Sequence, residues 1–177
     1  MKLPSPYEGY ADSTITYDSD VGSYIRPDRD GSVFVGSQGT SFDDHSSVDP
    51  DSYDQNISSN GGEPIYRLAQ RIPTLGIPNH IQGIVGLWDI TEDWIPIYDR
   101  SDLDGFYLAI GTSGNQFKTA PVVGELMTRL ILACENGHSH DTDPLEFILA
   151  RTGSVIKLDF FSRNRCVNSN SSFSVLA

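Results

Sequence analysis

The sequence predicts an α+β fold, and three observations carry that prediction. Phe106 to Ile110 is a short apolar run, followed by a turn with glycines at 111 and 114 and then by a helical stretch. That stretch, from about Phe117 to Glu135, puts Val123, Leu126, Met127, Leu130 and Cys134 on one face at helical spacing. Nearer the N-terminus, two β-rich runs flank Asp28-Arg29-Asp30-Gly31, the residue types that close a hairpin.

Taken in order, residues 1 to 20 are polar and without period, an irregular lead-in. Ser23 to Arg26 and Ser32 to Val35 form the hairpin, expected within 22 to 37. Its Asp-x-Asp-Gly also resembles the start of a calcium loop, but the later glutamate ligand is absent at the required spacing. Residues 38 to 63, rich in Ser, Asp, Asn and Gly, read as a long surface loop or poorly ordered segment. Glu63 to Arg71 is a short helix with Ile65, Leu68 and Ala69 on one side, stopped by Pro73. Ile72 to Pro78 is a linker-like crossing.

Ile81 to Thr91 reads as a strand passing through Gly83 and Gly86, and Trp94 to Tyr98 as a second. Asp99 to Asp104 is a charged turn. The Phe106 to Ile110 run suits a strand covered on both faces. Gly111 and Gly114 permit a sharp turn and close approach of the backbone to a ligand. Asn115 is placed to cap the helix, Pro121 falls in its first turn, and Gly124 points to close packing. Asn136-Gly137 ends the helix. His138-Ser139-His140 invites a metal reading, but no third histidine lies nearby, so a solvated loop is preferred. Leu145 to Leu149 and Val155 to Phe161 are apolar segments with no assigned function.

Bulk properties narrow the partners. The 177 residues suffice for one domain with a core. The formal net charge of −12 argues against nucleic acid and anionic membrane as partners, since both need positive patches. Cys134 and Cys166 show no metal-ligand spacing and read as free thiols in a reducing, cytoplasmic setting. No apolar run reaches the roughly 18 residues of a membrane span. Met1 to Pro6 lacks the apolar core of a secretory signal.

The residues from Gly111 to Pro121, Gly-Thr-Ser-Gly-Asn-Gln-Phe-Lys-Thr-Ala-Pro, resemble the C-terminal flavin-contacting segment of the FAD-dependent amine and amino-acid oxidoreductases. These are the D-amino-acid oxidase, glycine oxidase and sarcosine oxidase group. Their pattern there is Gly-x-Ser-Gly-x-Gly-Phe-Lys, then Ala-Pro, then Gly, and Gln116 stands where many members have glycine. Gly86 to Ile97 is similar to the family's Gly-Leu-x-x-x-Thr-Pro-Asp-x-x-Pro-Ile strand, with Glu92 in place of the proline. Tyr24 to Gly31 resembles its Tyr-x-Arg-Pro-x-x-x-Gly hairpin, which belongs to the substrate-facing domain. The segments follow the family's order over most of residues 20 to 135.

The resemblance implies the C-terminal part of a two-domain enzyme. Residues 1–80 would be part of a substrate-binding domain, 81–136 the returning segment of the FAD-binding domain, and 137–177 an extension. No Gly-x-Gly-x-x-Gly follows a strand near the N-terminus, so the Rossmann unit that holds the ADP half of FAD is missing from this sequence. The expected partner is that N-terminal half or another subunit. The implied reaction oxidises the C–N bond of an amine or amino acid, with FAD held non-covalently, since the segment Gly86 to Asp89 contains no cysteine for attachment.

The same resemblance implies the site. Gly86, Gly111, Ser113, Gly114, Asn115, Gln116, Phe117 and Lys118 would contact the cofactor. Backbone N–H groups from Gly114 to Lys118 would face the flavin edge where negative charge develops. Lys118, Trp88 and Tyr24 would face the substrate, Lys118 by pairing with its carboxylate. Trp88 matches a position where glycine-oxidase-like members carry a carboxylate-binding arginine, so here it would shape the pocket. Each has a plainer reading: a first-turn surface lysine, a core aromatic, and, for Arg26 beside Tyr24, a structural ion-pair partner. No metal ligands are expected. A non-catalytic binding module, or an inactive remnant of the fold, is the rival class.

Overall fold

The computed structural model describes residues 15–28, 32–37, 47–58 and 60–171. The described residues form an α+β chain that divides into two units, one ending at Leu87 and one beginning at Trp88.

In the first unit the two β-rich runs fold back on each other. β2 (Ser23–Pro27) pairs antiparallel with β3 (Val33–Ser37), bringing Tyr24 opposite Gly36 and Arg26 opposite Phe34. The tip of this hairpin, with the calcium-like residues 29–31, lies outside the described residues. β1 (Thr16–Asp18) adds to the other edge of β2, where an irregular lead-in was expected. Three residues are too few to show a period, and the ladder to β2 is what makes them a strand. α1 (Glu63–Arg71) forms where the sequence places it, and Pro73 follows its end. Its Leu68 meets Ile25, Val33 and Leu75 in a small core. The Ser23 hydroxyl donates to the Pro64 carbonyl at 3.1 Å, and Arg67 donates to the Ser37 hydroxyl at 2.7 Å, fastening helix to sheet. Arg71 pairs with Asp18 and Asp20 from the last helical turn. Of the expected polar loop, residues 47–58 are largely exposed and without regular structure.

The stretch from 81 to 91 forms no strand. Its composition favours a pleated chain, but a strand exists only when its N–H and C=O groups form a ladder with a neighbouring strand, and no strand pairs with it among the described residues. Ile84 is 86% exposed as a result. The second expected strand begins later than Trp94, because Thr91 to Trp94 is a turn; β4 is Ile97–Arg100.

In the second unit β4 pairs antiparallel with β5 (Tyr107–Ile110). β5 is the predicted strand, but it is not covered on both faces: Ile110 is 47% exposed and Phe106, just before it, 55%. The two strands make a complete two-stranded sheet among the described residues, with only β4 beside β5. A 3-10 turn (Phe117–Thr119) leads into α2 (Ala120–Glu135), with Pro121 in the first turn as expected. The predicted apolar stripe packs the core, where Leu126 and Leu130 join Tyr98, Phe147 and Leu158, flanked by Val123, Met127 and Cys134. α2 ends in a Schellman motif, His138 N–H donating to Ala133 and Gly137 N–H to Cys134. Gly124 does not mark close packing: a Cβ there would meet nothing within 4 Å.

The two late apolar segments become β6 (Glu146–Ile148), β7 (Val155–Lys157) and a 3-10 turn (Leu158–Phe161), which close the core from the other side of the chain. The histidine loop is only partly solvated. His140 is 2% exposed, with Nδ1 accepting from Leu145 N–H and Nε2 3.7 Å from Asp99. Asp99, fully buried on β4, also accepts from Ser162 and Arg163, so a charged cluster replaces the expected solvent. Cys134 and Cys166 are free thiols. No helix among the described residues is long and apolar enough to cross a membrane.

Candidate functional site

The turn between β5 and α2 contains three residues with positive φ. Gly111, Ser113 and Gly114 have φ of 69°, 50° and 75°. Glycine is required at Gly111 twice over: a Cβ would lie 2.4 Å from Thr91 Cγ2, and the backbone angle disfavours one. Ser113 bears the strain of a positive φ with its side chain fully buried, its hydroxyl donating to the Gly111 carbonyl at 3.1 Å.

Asp89 clamps this turn, and sequence reading missed it. Its carboxylate accepts from the N–H of Gly111 at 2.9 Å, from the N–H of Thr112 at 3.0 Å and from the Thr112 hydroxyl, while its carbonyl accepts from Ser113 N–H. Burial pushes the Asp89 carboxyl up, but the Thr112 and Gly111 donors outweigh it and hold the group below its usual range. The only available signal was an acidic residue near the end of the β-rich stretch Ile81 to Thr91, which is too common to single out.

The turn's remaining donors point elsewhere. Asn115 N–H closes onto the Thr112 carbonyl at 3.1 Å. The N–H groups of Gly114, Gln116, Phe117 and Lys118 carry no hydrogen bond among the described residues. They lie before and in the first residues of the helical segment that begins at Phe117, where first-turn N–H groups are unpaired by construction and carry partial positive charge. Asn115 does not cap this segment; its side-chain oxygen accepts from the Gln116 amide instead. Gln116 has φ −88°, an ordinary angle that needs no glycine. Its Oε1 accepts from the Tyr98 hydroxyl at 3.0 Å, with the Thr119 hydroxyl 2.7 Å away. Burial is the main reason the Tyr98 hydroxyl is pushed up to about 12, so it acts here as a donor.

Of the residues assigned to substrate, two lie in this unit. Trp88 is half exposed and its ring covers Gly114, where a Cβ would come within 3.1 Å of it. Trp94, with φ 61°, meets Trp88 edge-on at 6.3 Å between ring centroids. Lys118 is exposed and has no ion-pair partner among the described residues, and its neighbour Phe117 is 97% exposed. Tyr24 belongs to the first unit, where its ring lies across Gly36; a Cβ at Gly36 would fall 2.3 Å from it. Arg26 stands 4.6 Å from the Phe34 ring centre, a cation–π contact rather than the ion pair considered from sequence. Gly86, also in the first unit, is exposed, with open space where a Cβ would point.

The second unit therefore presents a half-exposed indole over Gly114 and, on the turn and helix start from Gly114 to Lys118, four N–H groups and an ammonium that have no partner among the described residues. Such an arrangement can receive a planar, electron-rich ring edge and an anion. Among the described residues no cluster of metal-binding side chains occurs. The family model described as FAD dependent oxidoreductase matches residues 2–130, more than half of the chain. No curated protein and no solved structure matches the chain.

Proposed function

The chain belongs to the FAD dependent oxidoreductases, and from that premise we propose that it carries the flavin-edge and substrate-anion end of an enzyme that oxidises the C–N bond of an amine or amino acid. The observation that carries the reading is the set of N–H groups of Gly114, Gln116, Phe117 and Lys118 that have no partner among the described residues, ending at a lysine with no ion-pair partner among them. The donor chemistry fits a flavin ring, whose N1 and O2 atoms are acceptors. Gly114, Gln116, Phe117 and Lys118 would hold that edge, while Gly111 and Ser113 shape the turn and Asn115 braces Gln116. Gly86, Trp88 and Tyr24 keep the roles that the family resemblance implies.

A flavin held by the N–H groups of Gly114, Gln116, Phe117 and Lys118 would supply a two-electron acceptor for the hydride of the substrate carbon. The C–H electron pair departs, the amine nitrogen gives up a proton, and the resulting imine is hydrolysed by water. The part played by this chain is electrostatic. Fixed N–H dipoles at the helix start stabilise negative charge without reorganising. The Lys118 ammonium holds the substrate carboxylate, a charge-assisted contact worth about 1.5–3 kcal/mol. In this reading the ADP half of FAD is held by a dinucleotide-binding portion outside the present sequence, in the same polypeptide or in another subunit.

Trp88 and Trp94 are the only tryptophans in the sequence, so quenching of tryptophan fluorescence reports on the site directly. Free riboflavin and FAD are expected to quench it with similar affinity, because the ring and not the ADP half is recognised. Lys118→Met should leave that affinity unchanged and weaken binding of a carboxylate substrate analogue by roughly ten- to a hundred-fold. Quenching by neither flavin would overturn the reading in favour of a non-catalytic module. Unchanged analogue affinity would reduce Lys118 to a solvated surface residue.

A further inference from the structure

Arg165 lies beyond the stretch matched by the family model, in the segment to which sequence reading assigned no role. Its guanidinium grips Asp93 with two donors, Nε at 3.1 Å and Nη2 at 2.7 Å, and Nη2 also reaches the Ile95 carbonyl at 2.7 Å. Such a forked pair fixes direction as well as distance. The Asp93 side chain is 1% exposed and that of Arg165 13%, so water does not compete for either.

Asp93 is saturated. Besides Arg165, it accepts from Ile95 N–H at 3.1 Å, Asn168 N–H at 3.2 Å and the Thr91 hydroxyl at 3.3 Å. The Arg165 hydrogen bonds are the main reason its carboxyl stays far below the usual range. This one carboxylate therefore ties the C-terminal segment to the turn from Thr91 to Ile95. Within that turn Trp94 is held at φ 61°, an angle that a bulky residue adopts only under constraint. Trp94 in turn stands edge-on to Trp88, whose ring covers Gly114.

We infer that Arg165 is a positioning residue: through Asp93 it locks the strained turn that sets Trp94 against Trp88, and so holds the Trp88 indole over the glycine turn. Its bearing on ligand binding rests on the function proposed above; the locking of the indole pair does not. The direction of constraint follows from the geometry. Among the described residues no other cation reaches Asp93, so without the fork the carboxylate loses its counter-charge and the strained turn relaxes toward negative φ at Trp94. That relaxation swings one indole away from the other.

The pair supplies its own signature, because two indoles at a fixed edge-on angle give an exciton couplet in circular dichroism and no other tryptophan contributes. The couplet should be measured in the unaltered protein, in Arg165→Met, and in Arg165→Lys, which keeps the charge and loses the fork. Variants are compared only where the helical signal of α2 is retained. Arg165→Met is expected to lose most of the couplet, and Arg165→Lys to restore part of it. If Arg165→Met fails to fold, Arg165→Lys and Asp93→Asn decide, both with a reduced couplet expected. An unchanged couplet in any folded variant lacking the fork overturns the inference. Riboflavin quenching, run alongside, separates the two claims. A couplet lost in the variants with no quenching in the parent upholds the positioning role and overturns the flavin reading. Quenching with an unchanged couplet does the reverse.

Discussion

Replacing Gly111 by alanine tests whether the turn before α2 has the geometry described. Two costs add. The residue sits at φ 69°, and a Cβ in the left-handed region costs about 1–2 kcal/mol. The new methyl would also lie 2.4 Å from Thr91 Cγ2, well inside contact distance. Thr91 cannot simply rotate away, because its hydroxyl donates to the Ile95 carbonyl at 2.8 Å. Overpacking of this kind costs about 1–3 kcal/mol, so Gly111→Ala should destabilise the second unit by about 2–5 kcal/mol. Gly105→Ala is the matched control: φ is 74°, but nothing lies within 4 Å of the added carbon, and only the backbone cost of about 1–2 kcal/mol applies. The gain from a stiffer unfolded chain is common to both and cancels. Urea unfolding followed by tryptophan fluorescence reads this unit, since both tryptophans belong to it. If the two variants differ by less than about 0.5 kcal/mol, the usual limit of additivity, the close approach of Gly111 to Thr91 is wrong.

Asp89→Ala should free the N–H groups of Gly111 and Thr112, costing about 1–2 kcal/mol because water partly replaces an exposed carboxylate. Amide exchange at those two positions should speed up, and unchanged rates would show that the clamp is not formed in solution. His140 sets a pH dependence. Burial holds its folded pKa below 6.5 despite the nearby Asp99, so the unfolded chain takes up the proton first and stability falls as the pH drops below 6.5. Asp93 and Asp141, both held below 3.8 chiefly by their Arg165 and Arg163 hydrogen bonds, add a second loss only below that value. Unfolding midpoints from about pH 7.5 to about pH 5 should decline in the parent relative to His140→Gln; parallel curves would count against a buried neutral imidazole.

Local chemistry was legible in the sequence and long-range pairing was not. α1 and α2 were readable because Ile65 and Leu68, and Val123 through Cys134, repeat at helical spacing between clear stops. The hairpin was readable because turn residues separate two β-rich runs. The stretch 81–91 misled because β-rich composition states a preference, and a strand also needs a neighbour to receive its hydrogen bonds. At the candidate site, the glycines, Trp88 and Lys118 could be named from the family resemblance. Asp89 could not, since its partners Gly111 and Thr112 lie more than twenty residues away. Arg165 was further out of reach, 72 positions along the chain from Asp93. Buried His140 was read as solvated because its polar sequence neighbours conceal Asp99 and Arg163, which arrive from β4 and from the C-terminal segment.

The central claim is that a flavin edge meets the N–H groups at the start of the helical segment after the glycine turn. Backbone amide shifts recorded during a riboflavin titration test it residue by residue. The account predicts the largest shifts at Gly114, Gln116, Phe117 and Lys118, whose N–H groups have no partner among the described residues, and small ones at Gly111 and Thr112, which Asp89 already occupies. Shifts concentrated at Gly111 and Thr112, or confined to residues outside the turn, would contradict it.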